Sequence, residues 1–154
     1  MYRFFKLLNH KYRYYKLVMF KNKVKIGKNF KGGKYGFISK KNKIDIGDNF
    51  FMGNFCHLSS DLKVGNDVMF ASFVSCVGGD HNIDDVNIKM NKSGKGVFKK
   101  TIIEDNVWIG HGTIIMHGVS IKEGSVIAAG SVVIKNVPSL SIYGGNPAKL
   151  IKKR

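Results

Sequence analysis

Five histidines, His10, His57, His81, His111 and His117, are the side chains best suited to moving protons near neutral pH. One of them has a setting unlike the rest. His81 lies in "SCVGGDHNIDDVN", Ser75 to Asn87, directly after Gly78, Gly79 and Asp80. Glycines let a backbone approach a ligand closely, and an imidazole held there can act as a general base. Asp80, Asp84 or Asp85 could orient the ring. The same Asp and Asn residues are also the ordinary material of turns, so a surface loop histidine is the competing reading.

The elements that must position His81 are legible from a repeat. From Ile46 the chain divides into sixes, "IGDNFF", "MGNFCH", "LSSDLK", "VGNDVM" and "FASFVS". It does so again from Ile103, with "IEDNVW", "IGHGTI", "IMHGVS", "IKEGSV", "IAAGSV" and "VIKNVP". Every first position is apolar, the second is often Gly or Ala, and the fifth is apolar or small. A period of six fits neither a helix nor a simple strand. It fits a short strand plus a bend, three of which close a triangular coil of 18 residues. Coils stacked at the spacing of paired strands, about 4.8 Å, make a parallel β-helix with an aliphatic core. Residues 18 apart should then stack: Ile46 on Val64, Met52 on Phe70, Ile103 on Ile121 and Ile109 on Ile127. The small second residues are expected to admit positive φ. Ile26 to Ile44 reads as a first coil of 18 residues, with two extra residues resetting the frame at Ile46.

The fold class is therefore all-β, with three parts. Residues 1–23 form a basic, aromatic cap segment, 24–138 the β-helix with a loop at 77–102, and 139–154 a basic tail. The loop span is not a multiple of six, so the chain leaves the coil and returns. Cys56 and Cys76 fall at interior positions and read as buried thiols in a reducing compartment. The N-terminal segment has no uninterrupted apolar stretch, so it reads as neither leader nor membrane span. Its basic and aromatic character suits either a coil cap or peripheral contact with a membrane surface. Cytoplasmic localisation, at the inner membrane face in the second case, is the expectation. Charge is lopsided, 26 Lys and Arg against 10 Asp and Glu, a net +16, which favours anionic partners or simply solubility. No nucleic-acid motif accompanies it, so no nucleic-acid partner is expected. His111 and His117, six apart, occupy one hexad position on adjacent faces, and no metal site is expected.

The period and the ending "IEDNVWIGHGTIIMHGVSI…VIAAGSVVIKNVP…GGNPAKLIKK" resemble the hexapeptide-repeat acyltransferases, in particular maltose, galactoside and polysaccharide O-acetyltransferases. The resemblance covers roughly 44–152. It implies a left-handed coil and a homotrimer with active sites between subunits. It also implies acetyl-CoA as acyl donor and transfer to a sugar hydroxyl of a bacterial surface polysaccharide, with a carbohydrate acceptor that the positive charge suits if anionic. By the same resemblance His81 is the general base, and Asn54, in "FMGNFCH", and Asp80 face the acceptor. Gly110, His111, Ala129 and Ile134 line the groove for the coenzyme A arm, and Lys149 and Lys152 meet its phosphates. Lys in place of the Arg common in relatives keeps the charge and loses the bidentate geometry. Trp108 matches the "VWIG" tryptophan and suits packing along a face, a subunit contact or contact with ligand. Two alternatives stay open: N-acetylation of an amino sugar, and a non-catalytic β-helical binding protein.

Overall fold

A computed structural model describes residues 23–154. The readings of the N-terminal segment as cap or membrane contact, and His10 with it, lie outside the described residues. The chain winds as a left-handed parallel β-helix whose strands form three sheets of 5, 7 and 5 members. Face one runs from Val24–Ile26 to Ser120–Ile121, face two from Lys31–Gly32 to the C-terminal strand Lys149–Lys153, and face three from Phe37–Ile38 to Val132–Val133. The chain turns a first corner between faces one and two, a second between two and three, and a third between three and one.

The stacking pairs are those the period requires: Ile46 with Val64, Met52 with Phe70, Ile103 with Ile121 and Ile109 with Ile127. Each two-residue strand points one side chain out and one in, so Met69 is exposed and Phe70 buried, Trp108 exposed and Ile109 buried. All first positions of the hexads lie in one continuous core with the fifth-position Phe50, Val68 and Val107. Each such side chain contributes about 1.5–3 kcal/mol through removal from water.

Two expectations about the coils need correction. The first coil has 20 residues, since Ile26 pairs with Ile46 and Phe37 with His57. Its two extra residues sit at the third corner, where 39–43 fills a gap that 59–61 closes one coil later. The second-position glycines do not carry the positive φ. That conformation falls at the fourth position, on Asn49, Phe55, Asp67, Phe73 and Asn106 among others. A second-position glycine serves close approach instead: a Cβ on Gly53 would lie 2.5 Å from the Ser72 nitrogen of the next coil. At the first corner the fourth positions stack as an amide ladder. Asn29 Nδ2 donates to Asn49 Oδ1 at 2.9 Å, and Asn49 Nδ2 to Asp67 Oδ1 at 2.8 Å.

Cys76 pairs with Ile115, 39 positions on, which is 21 more than one coil. The extra chain leaves after the strand Ser75–Cys76 and rejoins at Thr101–Ile103, so the loop closes at Lys100 rather than at 102. At the other end, the chain does not leave the coil at Pro138. The strand Ser141–Gly144 adds to face two beside Val126–Ile127, and Lys149–Lys153 folds back antiparallel on it.

Candidate active site

The inserted loop begins as a short antiparallel stem. The Gly96 N–H donates to the Asp80 carbonyl at 2.9 Å, the Asn82 N–H to the Gly94 carbonyl at 3.3 Å, and His81 bridges Lys95. His81 therefore sits at the loop's root on paired backbone. Its imidazole is exposed and has no hydrogen-bond partner among the described residues. Asn82 and Asp85 cap turns, accepting from the Asp84 and Asn87 N–H groups at 2.9 Å each. Asp80, a candidate for orienting His81 or facing the acceptor, is engaged elsewhere: its Oδ2 lies 3.0 Å from His117 Nε2. The loop beyond is less polar at its surface than its lysines suggest, with Ile83, Val86, Ile88, Met90, Val97 and Phe98 exposed.

His81 belongs to the third corner, because Gly78 packs over Ser60 and the His117 Cβ. Asn54 and His111 belong to the second, one face away. There they border a groove of about 440 Å³ with Lys31, Phe51, Ala71 and Ser72. Asn54 Oδ1 accepts the Lys34 N–H at 2.7 Å, which fixes the side chain at the groove edge. The groove is flanked by rings that the sequence reading missed. Tyr35, Phe55 and Phe73 stack in successive coils at centroid separations of 5.0 and 4.9 Å, and the His111 ring lies tilted against Phe73 at 5.3 Å. Tyr35, Phe55 and Phe73 all hold positive φ, where bulky residues are strained. Ring stacking, about 0.5–1.5 kcal/mol per pair, offsets that cost. The signal was present as aromatics at the same hexad position one coil apart.

Ala129 follows His111 at this corner, and the Gly130 N–H donates to the His111 carbonyl at 2.7 Å. Gly110 is buried beneath them, where a Cβ would lie 2.5 Å from the Ala129 nitrogen, so it sets the floor of the corner rather than its surface. Ile134, expected on the same edge, follows Val132–Val133 and lies at the third corner instead. The tail docks on this last coil: the Ala148 N–H donates to the Val132 carbonyl at 2.8 Å and the Val132 N–H to the Gly145 carbonyl at 3.0 Å. Lys149 and Lys152 are thereby exposed on a fixed strand beside Ala129's coil. Trp108 stands half-exposed on face two between Met69 and Val126. Among the described residues no three His, Cys, Asp or Glu side chains gather as a metal site, and no helix is long and apolar enough to cross a membrane.

Neither cysteine can serve as a nucleophile where it lies. Burial raises the Cys76 thiol far above its usual range, and the nearby Cys56 adds to the effect. Burial also raises Cys56, against backbone hydrogen bonds that lower it, and its Sγ lies 3.2 Å from the Ala71 carbonyl. Thiolate is the reactive form. An aromatic disulfide reagent should therefore titrate neither thiol of the native protein within minutes and both after denaturation. A rapid native reaction at either would show that the core opens.

Comparison with known proteins bears on this geometry. Residues 100–135 match the family model described as bacterial transferase hexapeptide (six repeats). The chain is 35% identical to a maltose O-acetyltransferase from Clostridium difficile 630, whose crystal structure superposes with a TM-score of 0.77 over 84% of this chain and 68% of that one. The chain belongs to the bacterial hexapeptide transferases. Within this family it is also 46% identical, over 94 residues, to a polysialic acid O-acetyltransferase of Escherichia coli O1:K1 / APEC, covering 60% of this chain and 30% of that protein. A galactoside acetyltransferase solved in complex with coenzyme A is 27% identical, with a TM-score of 0.60 over 84% of this chain and 64% of the other. This hexapeptide transferase spans less than half the length of the curated relatives it matches.

Proposed function

We propose that the chain is an acetyl-CoA-dependent O-acetyltransferase that acts on a sugar hydroxyl of a bacterial surface polysaccharide, with His81 as general base. The observation that carries this reading is an exposed, unpartnered imidazole on the paired root of a loop inserted into an otherwise unbroken coil. Similarity to maltose and polysialic acid O-acetyltransferases supports it.

In the reaction, His81 takes the proton of the acceptor hydroxyl as its oxygen attacks the thioester carbonyl. A backbone N–H bordering the groove donates to the developing oxyanion. The new C–O bond forms, the C–S bond breaks, and the leaving thiolate recovers the proton from the imidazolium. The coenzyme A arm runs past His111 and Ala129, over the floor that Gly110 keeps flat, and Lys149 and Lys152 meet its phosphates. Asn54 meets the acceptor in the neighbouring groove, where Lys31 suits a carboxylate.

The working unit is a homotrimer. His81 and the Asn54–His111 groove are separated by face three, so one chain does not bring them together, whereas a neighbouring copy can set its third corner against the second. The exposed apolar side chains of the loop support a covered surface there. Use of acetyl-CoA and two reduced thiols support action in the cytoplasm.

The test is incubation of the full chain with acetyl-CoA and a panel of neutral, sialylated and uronic-acid glycans, following thiol release. Release that depends on a glycan, and is fastest with an anionic one, is expected. Release no faster than solvent hydrolysis with every glycan would overturn the reading.

A further inference from the structure

We infer that His117 is a positioning residue for this reaction: it holds Asp80 and Lys99, the two ends of the inserted loop, and so fixes where His81 stands. The inference rests on the reading of His81 as base. His117 Nε2 is 3.0 Å from Asp80 Oδ2. The Lys99 N–H donates to Nδ1 at 3.4 Å, long for a hydrogen bond. The two contacts agree on one tautomer, with Nδ1 accepting and Nε2–H donating to the carboxylate. The Phe98 ring meets the imidazole edge-on at 6.1 Å, and the Lys99 side chain packs across Gly118, so the returning limb lies against His117 and the residue after it.

The anchor is tied into the coil by backbone hydrogen bonds on either side. His117 follows the strand Ile114–Ile115 at the third corner, with the Met116 N–H donating to the Val133 carbonyl at 3.0 Å and Thr101 Oγ1 donating to the Met116 carbonyl at 3.3 Å. Asp80 is held twice, by His117 through its side chain and by Gly96 through its carbonyl. His81 is the next residue. A half-exposed pair of this kind adds little to global stability. Its effect is local: the 21 extra residues have few other ties to the coil, and misplacement of a catalytic group by about 1 Å can cost up to about 10²-fold in rate.

The experiment compares His117→Ala, His117→Gln and Asp80→Ala with the parent protein. Glutamine offers an amide N–H for Asp80 and an amide oxygen for the Lys99 N–H, and alanine offers neither. His117→Ala is expected to lower kcat about tenfold or more, with KM for acetyl-CoA within about twofold and the unfolding midpoint unchanged. His117→Gln should recover most of the loss. A second measurement does not depend on activity: trypsin cleavage at Lys89, Lys92 and Lys95 should be about tenfold faster in His117→Ala and in Asp80→Ala. Unchanged cleavage overturns the latch. Faster cleavage with unchanged kcat overturns the positioning role. If instead His81→Ala keeps full activity, the reading of the base fails, and the cleavage rates still decide whether His117 holds the loop.

Discussion

Replacing His81 by alanine should lower the rate of glycan-dependent thiol release from acetyl-CoA by about 10²–10⁴-fold, the usual worth of a positioned general base. Coenzyme A affinity, measured by calorimetry, should stay within about twofold. The two expectations separate because the residues do. His81 stands at the third corner, while His111, Ala129, Lys149 and Lys152 lie along the second corner and the tail strand beside it. The substitution should leave the fold alone, since the imidazole is exposed and makes no hydrogen bond among the described residues. Loss of rate without loss of binding or stability is then a chemical effect. A variant that keeps a third of the parent rate would remove His81 from the mechanism and leave the loop as a specificity device only. Within the coils few groups compete for the role. His57 is stacked on Phe37 with centroids 4.7 Å apart, His111 lies tilted against Phe73, and His117 is bound to Asp80.

Much of this was legible in the sequence because one physical constraint recurs. A coil that must bury one side chain per face writes an apolar residue at every sixth position, and all of those positions are buried. Where the constraint is absent, reading fails. At the third corner the two extra residues fall within the polar run 39–43 and leave no apolar mark, and Ile44, buried like Ile46, invites a count of 18 from Ile26, so the first coil was measured short. Small second-position residues look alike whether they serve φ or close approach; only the backbone of the next coil tells them apart, as at Gly53 and Gly110. His81 was visible as the centre of a break. The Asp80–His117 pair was not, because 37 positions and a loop intervene. Its trace exists nonetheless: once Cys76 is set on Ile115, Gly78 falls on His117. Ile134 was misplaced for a related reason. A likeness to other chains carries residues across by alignment, whereas the corner each occupies depends on the count around the coil.

The largest stability effect is expected from Phe70→Ala, a loss of about 3–5 kcal/mol in chemical denaturation. Phe70 is fully buried at the middle of face two, between Met52 and Ile109. The Phe50 ring meets it edge-on with centroids 5.0 Å apart, and Phe50 in turn stacks on Phe30 at 5.9 Å. Three coils thus share one aromatic column. The cost depends on whether the surroundings can collapse into the space, and here they are pinned. The Gly53 N–H donates to the Phe70 carbonyl and the Ala71 N–H to the Ile109 carbonyl, each at 2.9 Å, so neither neighbouring coil can close in without breaking its own ladder. The control lies one residue away: Met69 is 49% exposed on the outer side of the same strand, and Met69→Ala should cost no more than about 0.5 kcal/mol. A loss below about 1 kcal/mol for Phe70→Ala would mean that the coils shift against each other more freely than their hydrogen bonding implies. That result would also touch function. Ala71 and Ser72 continue directly from Phe70 into the groove beside Asn54 and His111, so a coil loose enough to fill the cavity could not hold that groove in one shape.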